Sequence, residues 1–229
     1  MTTQVSRWLW TAILSLTCLL SISTFASART VFSDSFSGGG LFSRYEVRGG
    51  CRECFTQRRG LLTVTNKRGR ERRAELWAKR RSASTPYNED IEWRFDVRFT
   101  KAPRNKFIIF WQTNTRPFKG PDMMLTVNKG RIRAYLRNRG ARRGYATKNI
   151  GRLRVGQWMD FKVRFRRHMR KGYFQVVLNN RVVWTYDDGP TTQSTHSGHR
   201  DSRTKFGLYS GSSSRATWEA DFDNIRIIR

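Results

Sequence analysis

Apolar and polar residues alternate strictly along several stretches of this chain, and that period of two fixes what it can fold into. In "IEWRFDVRF", Ile91, Trp93, Phe95, Val97 and Phe99 fall on one side of an extended strand, and Glu92, Arg94, Asp96 and Arg98 on the other. "MDFKVRFR" repeats the scheme with Met159, Phe161, Val163 and Phe165. "KGYFQVVLNNRVVWTYD" reads as two strands joined at Asn179-Asn180, and "MMLTVNKGRIRAYLRN" as a hairpin turning at Asn128-Lys129-Gly130. "ADFDNIRII" gives a last strand, and no stretch carries a helical period. About ten such strands, separated by Gly, Asn and Pro, predict an all-β fold: a two-sheet antiparallel β-sandwich or jelly roll. Basic loops are expected at 138–149 and 189–203, with no internal repeat and no domain boundary.

The start of the chain reads differently. Arg7, the apolar run "WLWTAILSLTCLLSISTF" and the small residues Ala26-Ser27-Ala28 make residues 1–28 a secretory signal peptide. An uncleaved anchor fits less well, because Thr and Ser break a run that is short for a membrane span. The expectation is therefore an exported protein, periplasmic or secreted, cleaved near Ala28. Residues 29–229 would form one domain, monomeric and with no membrane segment. Cys18 would leave with the signal, so Cys51 and Cys54 of "CREC" remain. No second pair completes a zinc site, and no βαβ pattern suggests a thioredoxin. A local disulfide stapling a loop is the expected state in an oxidising compartment.

Charge narrows the partners. The sequence holds 45 Lys and Arg against 17 Asp and Glu, a net +28, and 35 of the basic residues are arginine. Such a charge opposes compaction and favours polyanions. Arginine in particular favours bidentate contact with carboxylate, sulfate or phosphate. Acidic polysaccharide, lipopolysaccharide, teichoic acid and DNA all qualify on composition. No nucleic-acid motif is present, and export argues against that class.

Some strands carry polar groups on a face that could do chemistry. Arg73, Glu75, Trp77 and Lys79 share one side of "RRAELWAK"; Arg131, Arg133, Tyr135 and Arg137 share one side of "GRIRAYLR". Arg203, Lys205, Gly207 and Tyr209 share one side of "RTKFGLYS". Gln112 and Asn114 follow the apolar "FIIFW" two residues apart, so both amides point the same way. Tyr and Trp rings on such a face could stack on sugars, and Gly207 would leave room for a polymer against its strand.

The runs "NEDIEWRFDVRF", "KFIIFWQTN", "GPDMMLTVNKGRIRAYL", "GQWMDFKVRFRR", "GYFQVVLNNRVVWTYDDGP", "KFGLYS" and "DFDNIRI" resemble, in order and spacing, the heparin-lyase-I-like polysaccharide lyases. They are also similar to the jelly-roll glucuronan and alginate lyases, over most of residues 70–229. The resemblance implies a concanavalin-like β-jelly roll with an acidic polymer across its concave sheet, cleaved by β-elimination. Three strand motifs carry the site in these families: Arg-x-Glu, Gln-x-His and Tyr-Phe-Lys-x-Gly-x-Tyr. Here Arg73-Ala74-Glu75 matches the first. Gln112-Thr113-Asn114 matches the second with Asn for His. Arg203-Thr204-Lys205-Phe206-Gly207-Leu208-Tyr209 matches the third with Arg for its leading Tyr.

The resemblance implies Arg73, Gln112, Asn114 and Tyr209 as catalytic residues. Glu75, Trp77, Lys79, Arg131, Arg133, Tyr135, Arg203 and Lys205 would bind substrate. Arg73, Gln112 and Asn114 would neutralise a uronate carboxylate so that C5 becomes acidic enough to lose its proton. A base must take that proton and an acid must protonate O4. Asn114 and Arg203 cannot serve as base at useful pH. Tyr209, Tyr145, His196 and His199 are the candidates, although for both histidines a solvated loop residue is the plainer reading. No metal or cofactor is expected to be required. Asp34 with Asp221 or Asp223 could hold a structural calcium, with ordinary surface aspartates the plainer reading. Two other functions compete with a lyase: a lyase-like module that has lost its base and only binds polyanions, and a nucleic-acid binder. A glycoside hydrolase would want two carboxylates across one bond, and Glu75 has no evident partner.

Overall fold

The computed structural model describes residues 28–66, 73–103, 106–115, 120–137, 144–193, 202–210 and 216–229. The expected signal segment, residues 1–27, lies outside the described residues, as do His196 and His199. In chain order the strands are β1 (Thr30–Asp34), β2 (Tyr45–Arg48), β3 (Phe55–Arg58), β4 (Leu61–Asn66), β5 (Arg73–Ala78), β6 (Asp90–Lys101), β7 (Phe107–Thr115), β8 (Pro121–Asn128), β9 (Arg131–Arg137), β10 (Tyr145–Arg152), β11 (Trp158–Arg166), β12 (Gly172–Leu178), β13 (Arg181–Gly189), β14 (Ser202–Tyr209) and β15 (Trp218–Ile228). One short helix, α1 (Leu41–Arg44), links β1 to β2.

The strands form two antiparallel sheets. The first runs β13-β12-β11-β6-β15-β4-β3, with β1 added against β15. The second runs β10-β9-β8-β7-β14-β5-β2. This is the expected two-sheet β-jelly roll. β6 buries Ile91, Trp93, Phe95, Val97 and Phe99, and β11 buries Met159, Phe161, Val163 and Phe165, as their alternation requires. Aromatic pairs bridge the sheets. Trp93 meets Trp111 at 6.5 Å, Phe95 and Phe99 both meet Phe110, and Phe222 meets Phe206 at 5.4 Å. Such pairs contribute about 0.5–1.5 kcal/mol each beyond the area they bury.

The two hairpins turn where the sequence places them. Asn179-Asn180 have φ of 50° and 61°, and Lys129-Gly130 have 52° and 70°. Two residues of positive φ give a turn whose twist matches its strands. More strands form than alternation reveals, because β1 to β4 are only four to six residues long. The basic loop expected at 138–149 is strand in its second part, since Tyr145 to Asn149 open β10. As an edge strand, β10 pairs only with β9 and keeps mostly solvated side chains, so no period marks it. Cys51 and Cys54 are joined in a disulfide and buried, in a tight turn leading into β3.

One irregularity decides where the amides go. β7 begins with Ile108 and Phe110 in the core, and continued alternation would put Gln112 there too. The β7–β8 register instead shifts between Ile109 and Trp111. Phe110 and Trp111 both enter the core, and Gln112 and Asn114 turn to the opposite face of the second sheet.

Candidate active site

The three motif strands are consecutive neighbours, β7-β14-β5, in the second sheet. Across β14 and β5, Gly207 stands opposite Glu75 and Tyr209 opposite Arg73. Across β14 and β7, Lys205 stands opposite Gln112 and Arg203 opposite Asn114. All of them face away from the core, because the residues between them, Ala74, Leu76, Trp111, Phe206 and Leu208, line it.

A buried carboxylate organises this face. Glu75 is 1% exposed; Gln112 Nε2 donates to its Oε1, and Arg73 Nε lies 3.1 Å from its Oε2. Lys205, largely buried, donates from Nζ to Asn114 Oδ1 at 3.2 Å. The Arg73 guanidinium lies 4.0 Å over the Tyr209 ring. Arg203 and Arg48 both stand over Trp77, at 3.0 and 4.5 Å. Such contacts contribute about 0.5–2 kcal/mol and hold a guanidinium's orientation without cancelling its charge. Burial pushes the Glu75 carboxyl up, while Lys205, Arg73, the Gln112 bond and Arg48 pull the other way. Burial brings Lys205 down to about 8; Glu75 opposes that, and the guanidiniums of Arg73, Arg48 and Arg203 reinforce it.

The comparisons with known proteins bear on this arrangement. A family model described as polysaccharide lyase matches residues 26–226. The chain belongs to that family. No curated protein matches it significantly. Among solved structures it is similar to alginate lyase A1-II', a member of polysaccharide lyase family 7. That match has a TM-score of 0.62 at 11% identity, over 81% of this chain and 94% of that one. It is similar to the family 7 alginate lyase AlgAT5 with a TM-score of 0.57 at 14% identity, over 80% and 93%. It is also similar, with a TM-score of 0.60 at 11% identity over 87% and 99%, to a structure from work on endo-acting O-glycanases of the human gut microbiota. At these identities the structural matches show the shared fold.

Set against this lyase-family chain, several residue roles read from sequence change. Gln112 is on the expected face but only 1% exposed, closed against Glu75 rather than presented to solvent. Trp77 is buried beneath Arg48 and Arg203, so these arginines cover the ring that a sugar was expected to meet. Gly207 serves the close approach of β5: at φ of 128°, an added Cβ would sit 2.3 Å from the Ala74 carbonyl oxygen. Lys79 lies past the end of β5, with Nζ donating to the Phe42 carbonyl at 2.7 Å. The Tyr145 hydroxyl donates to the Pro121 carbonyl and accepts from Arg137, both at 2.9 Å, which makes it a tie between strands. On β9, Tyr135 stands opposite Met124, itself opposite Gln112, and so extends the Lys205–Gln112 row. Arg133 lies one step along, opposite Thr126, while Arg131 is exposed at the hairpin end. Arg48 was missed, although "YEVR" places it on one face with Glu46.

The aspartates read as a possible calcium set are engaged with other partners. Asp34 pairs with Arg44 at 2.8 Å, and Asp221 accepts from Arg98 at 2.7 and 3.1 Å and from Thr63 at 2.7 Å. Asp223 accepts from the Asn224 backbone N–H at 2.6 Å. Among the described residues no group of three His, Cys, Asp or Glu stands together to hold a metal. A cavity of about 530 Å³ lined by Asp34, Arg44 and Asn224 lies on the β1 side, away from the motif strands.

Charge also separates the two sheets. The strands of the first carry nine Lys and Arg against ten Asp and Glu. The strands of the second carry nine against three. The sheet that holds the motif residues is therefore the cationic one.

Proposed function

We propose that this chain is an exported polysaccharide lyase that cleaves an acidic, uronate-containing polysaccharide by β-elimination, and that within its family it stands with the heparin-lyase-I-like members. The observation that carries the proposal is the convergence of Arg73, Glu75, Gln112, Asn114, Lys205 and Tyr209 from three adjacent strands onto one face. A uronate carboxylate placed over the Lys205–Gln112 row meets the Asn114 amide, with Gln112 directly behind and Arg73 on the far side of Glu75 adding positive charge. Charge building up on it as C5 loses its proton is stabilised by groups already fixed in place. Glu75 holds Arg73 and Gln112 in register. The C4–O4 bond then breaks, a C4–C5 double bond forms, and the departing O4 takes a proton from solvent.

The test is ultraviolet absorbance of the unsaturated uronate, read on alginate, glucuronan, heparin, chondroitin and hyaluronan across pH. The proposal expects signal on at least one polymer, lost in Arg73→Ala. No signal on any of them at any pH removes it. The closing of Gln112 against Glu75 favours one competitor, a module that holds polyanions without cutting them. That reading expects salt-sensitive binding without product, since exposed charges are screened over about 10 Å at 0.1 M salt.

A further inference from the structure

We propose that Lys205, acting as a neutral amine, is the base that removes the C5 proton. This rests on the elimination reading above and assigns it a role that the motif residues leave empty. The residue at the family's histidine position, Asn114, cannot accept a proton, but its side-chain oxygen receives a hydrogen bond from Lys205 Nζ at 3.2 Å. The lysine nitrogen thus lies one hydrogen bond from the site where an imidazole would stand. Lys205 is also directly opposite Gln112 in the β7–β14 ladder, so the base and a carboxylate-neutralising amide share a row.

The surroundings favour the uncharged amine. The groups facing Lys205 are Glu75 and Arg73 from β5, Arg48 from β2, Arg203 from its own strand, and the uncharged Gln112 and Asn114 from β7. Burial, reinforced by three guanidiniums, lowers its proton affinity to about 8. The one opposing carboxylate, Glu75, is also bonded to Gln112 and paired with Arg73. Glu46 on β2 faces Arg48 at 3.7 Å. In the step itself, the Nζ lone pair takes the C5 proton and the C5–H electrons form the C4–C5 double bond. The C4–O4 pair leaves on oxygen, which takes a proton from solvent. Solvent then removes the extra proton from Lys205, so the proton given to O4 is balanced.

The experiment compares wild type, Lys205→Arg, Lys205→Ala, and Lys205→Ala combined with Asn114→His, on whichever uronan the wild type cleaves. Wild-type kcat/KM should rise with pH through about 8. Lys205→Arg keeps a cation beside Glu75 and should stay folded by circular dichroism, yet lose about 10²–10⁴-fold in kcat, the usual contribution of a general base. Added methylamine should restore Lys205→Ala in proportion to its free-base concentration. The double variant should regain turnover with a limb near the imidazole value of about 6.5. A wild type that eliminates while folded Lys205→Arg keeps its rate overturns the inference and leaves the lyase reading standing. So does Lys205→Ala with an unchanged pH limb. A wild type inactive on every uronan instead overturns the elimination reading and this inference with it.

Discussion

Asp122→Asn isolates one charge in a buried network that anchors the motif strands. Asp122 and Arg167 are both fully buried, with Nε and Oδ2 3.8 Å apart. Arg167 also donates to the Thr85 carbonyl and to Ser202 Oγ, and Asp122 accepts from Thr115 Oγ1 and, at 3.2 Å, from Thr192 Oγ1. An asparagine keeps the shape and can still accept from the threonines, so the substitution removes mainly the charge opposite a guanidinium that water cannot reach. Breaking a buried pair from one side costs about 3–5 kcal/mol. At roughly 2–4 °C per kcal/mol for a domain of this size, Tm should fall by about 6–20 °C in calorimetry. Asp90→Asn is the control, because Asp90 pairs with Arg166 at 2.6 Å in solvent and such pairs are worth about 0–1 kcal/mol. Thr115 follows Asn114 and Ser202 precedes Arg203, so the weakened network should also lower turnover well below Tm. An Asp122→Asn variant that melts no lower than Asp90→Asn would refute the reasoning.

Gly207→Ala should destabilise by at least about 1–3 kcal/mol from its left-handed backbone alone, with β5 forced off the Ala74 carbonyl and activity lost. A variant as stable as wild type in urea would contradict that packing. Lys205 predicts a pH dependence of stability. Its affinity drops from lysine's ordinary 10.5 to about 8 in the fold, so its contribution is present above 10.5 and lost as pH falls through 8. Wild type should therefore gain on Lys205→Met between pH 8 and 10, at up to about 1.4 kcal/mol per unit, and a flat difference in denaturant midpoints would show that no such shift exists. The Cys51–Cys54 bond closes only a small loop, so by the chain-entropy model reducing it should cost about 2 kcal/mol, measurable as a lower urea midpoint with dithiothreitol.

The strands that build the core were legible because they are long and amphipathic, as β6 and β11 show. Short strands such as β2, and the polar edge strand β10, left no comparable trace, since neither buries enough alternating side chains to impose a period. The motif residues were also legible as a set, because residues two apart on a strand share a face whatever the fold. Their burial was not. Whether an amide points at solvent or at a carboxylate depends on the bulge in β7 and on strands far away in sequence, and Gln112 meets Glu75 only once β14 and β5 are laid beside β7. Trp77 failed for the same reason: the two arginines over it come from β2 and β14.

The excess of arginine acquires meaning only from where the acids go. Basic residues are shared equally by the two sheets, but the acids are concentrated in the first. There they bind arginine directly: Glu92 holds both Arg94 and Arg164, Asp90 holds Arg166, and Asp221 holds Arg98. On the motif face Glu75 stands among Arg73, Arg48 and Lys205, Glu46 lies 3.7 Å from Arg48, and the guanidiniums of Arg48, Arg73 and Arg203 also stand over aromatic rings. Ring stacking fixes direction and leaves charge, whereas a carboxylate partner fixes direction by cancelling it. A polyanion approaching the molecule therefore meets near-neutral strands on one sheet and a fixed cationic lattice on the other. That asymmetry delivers carboxylates to the same strands that carry Gln112, Asn114 and Tyr209.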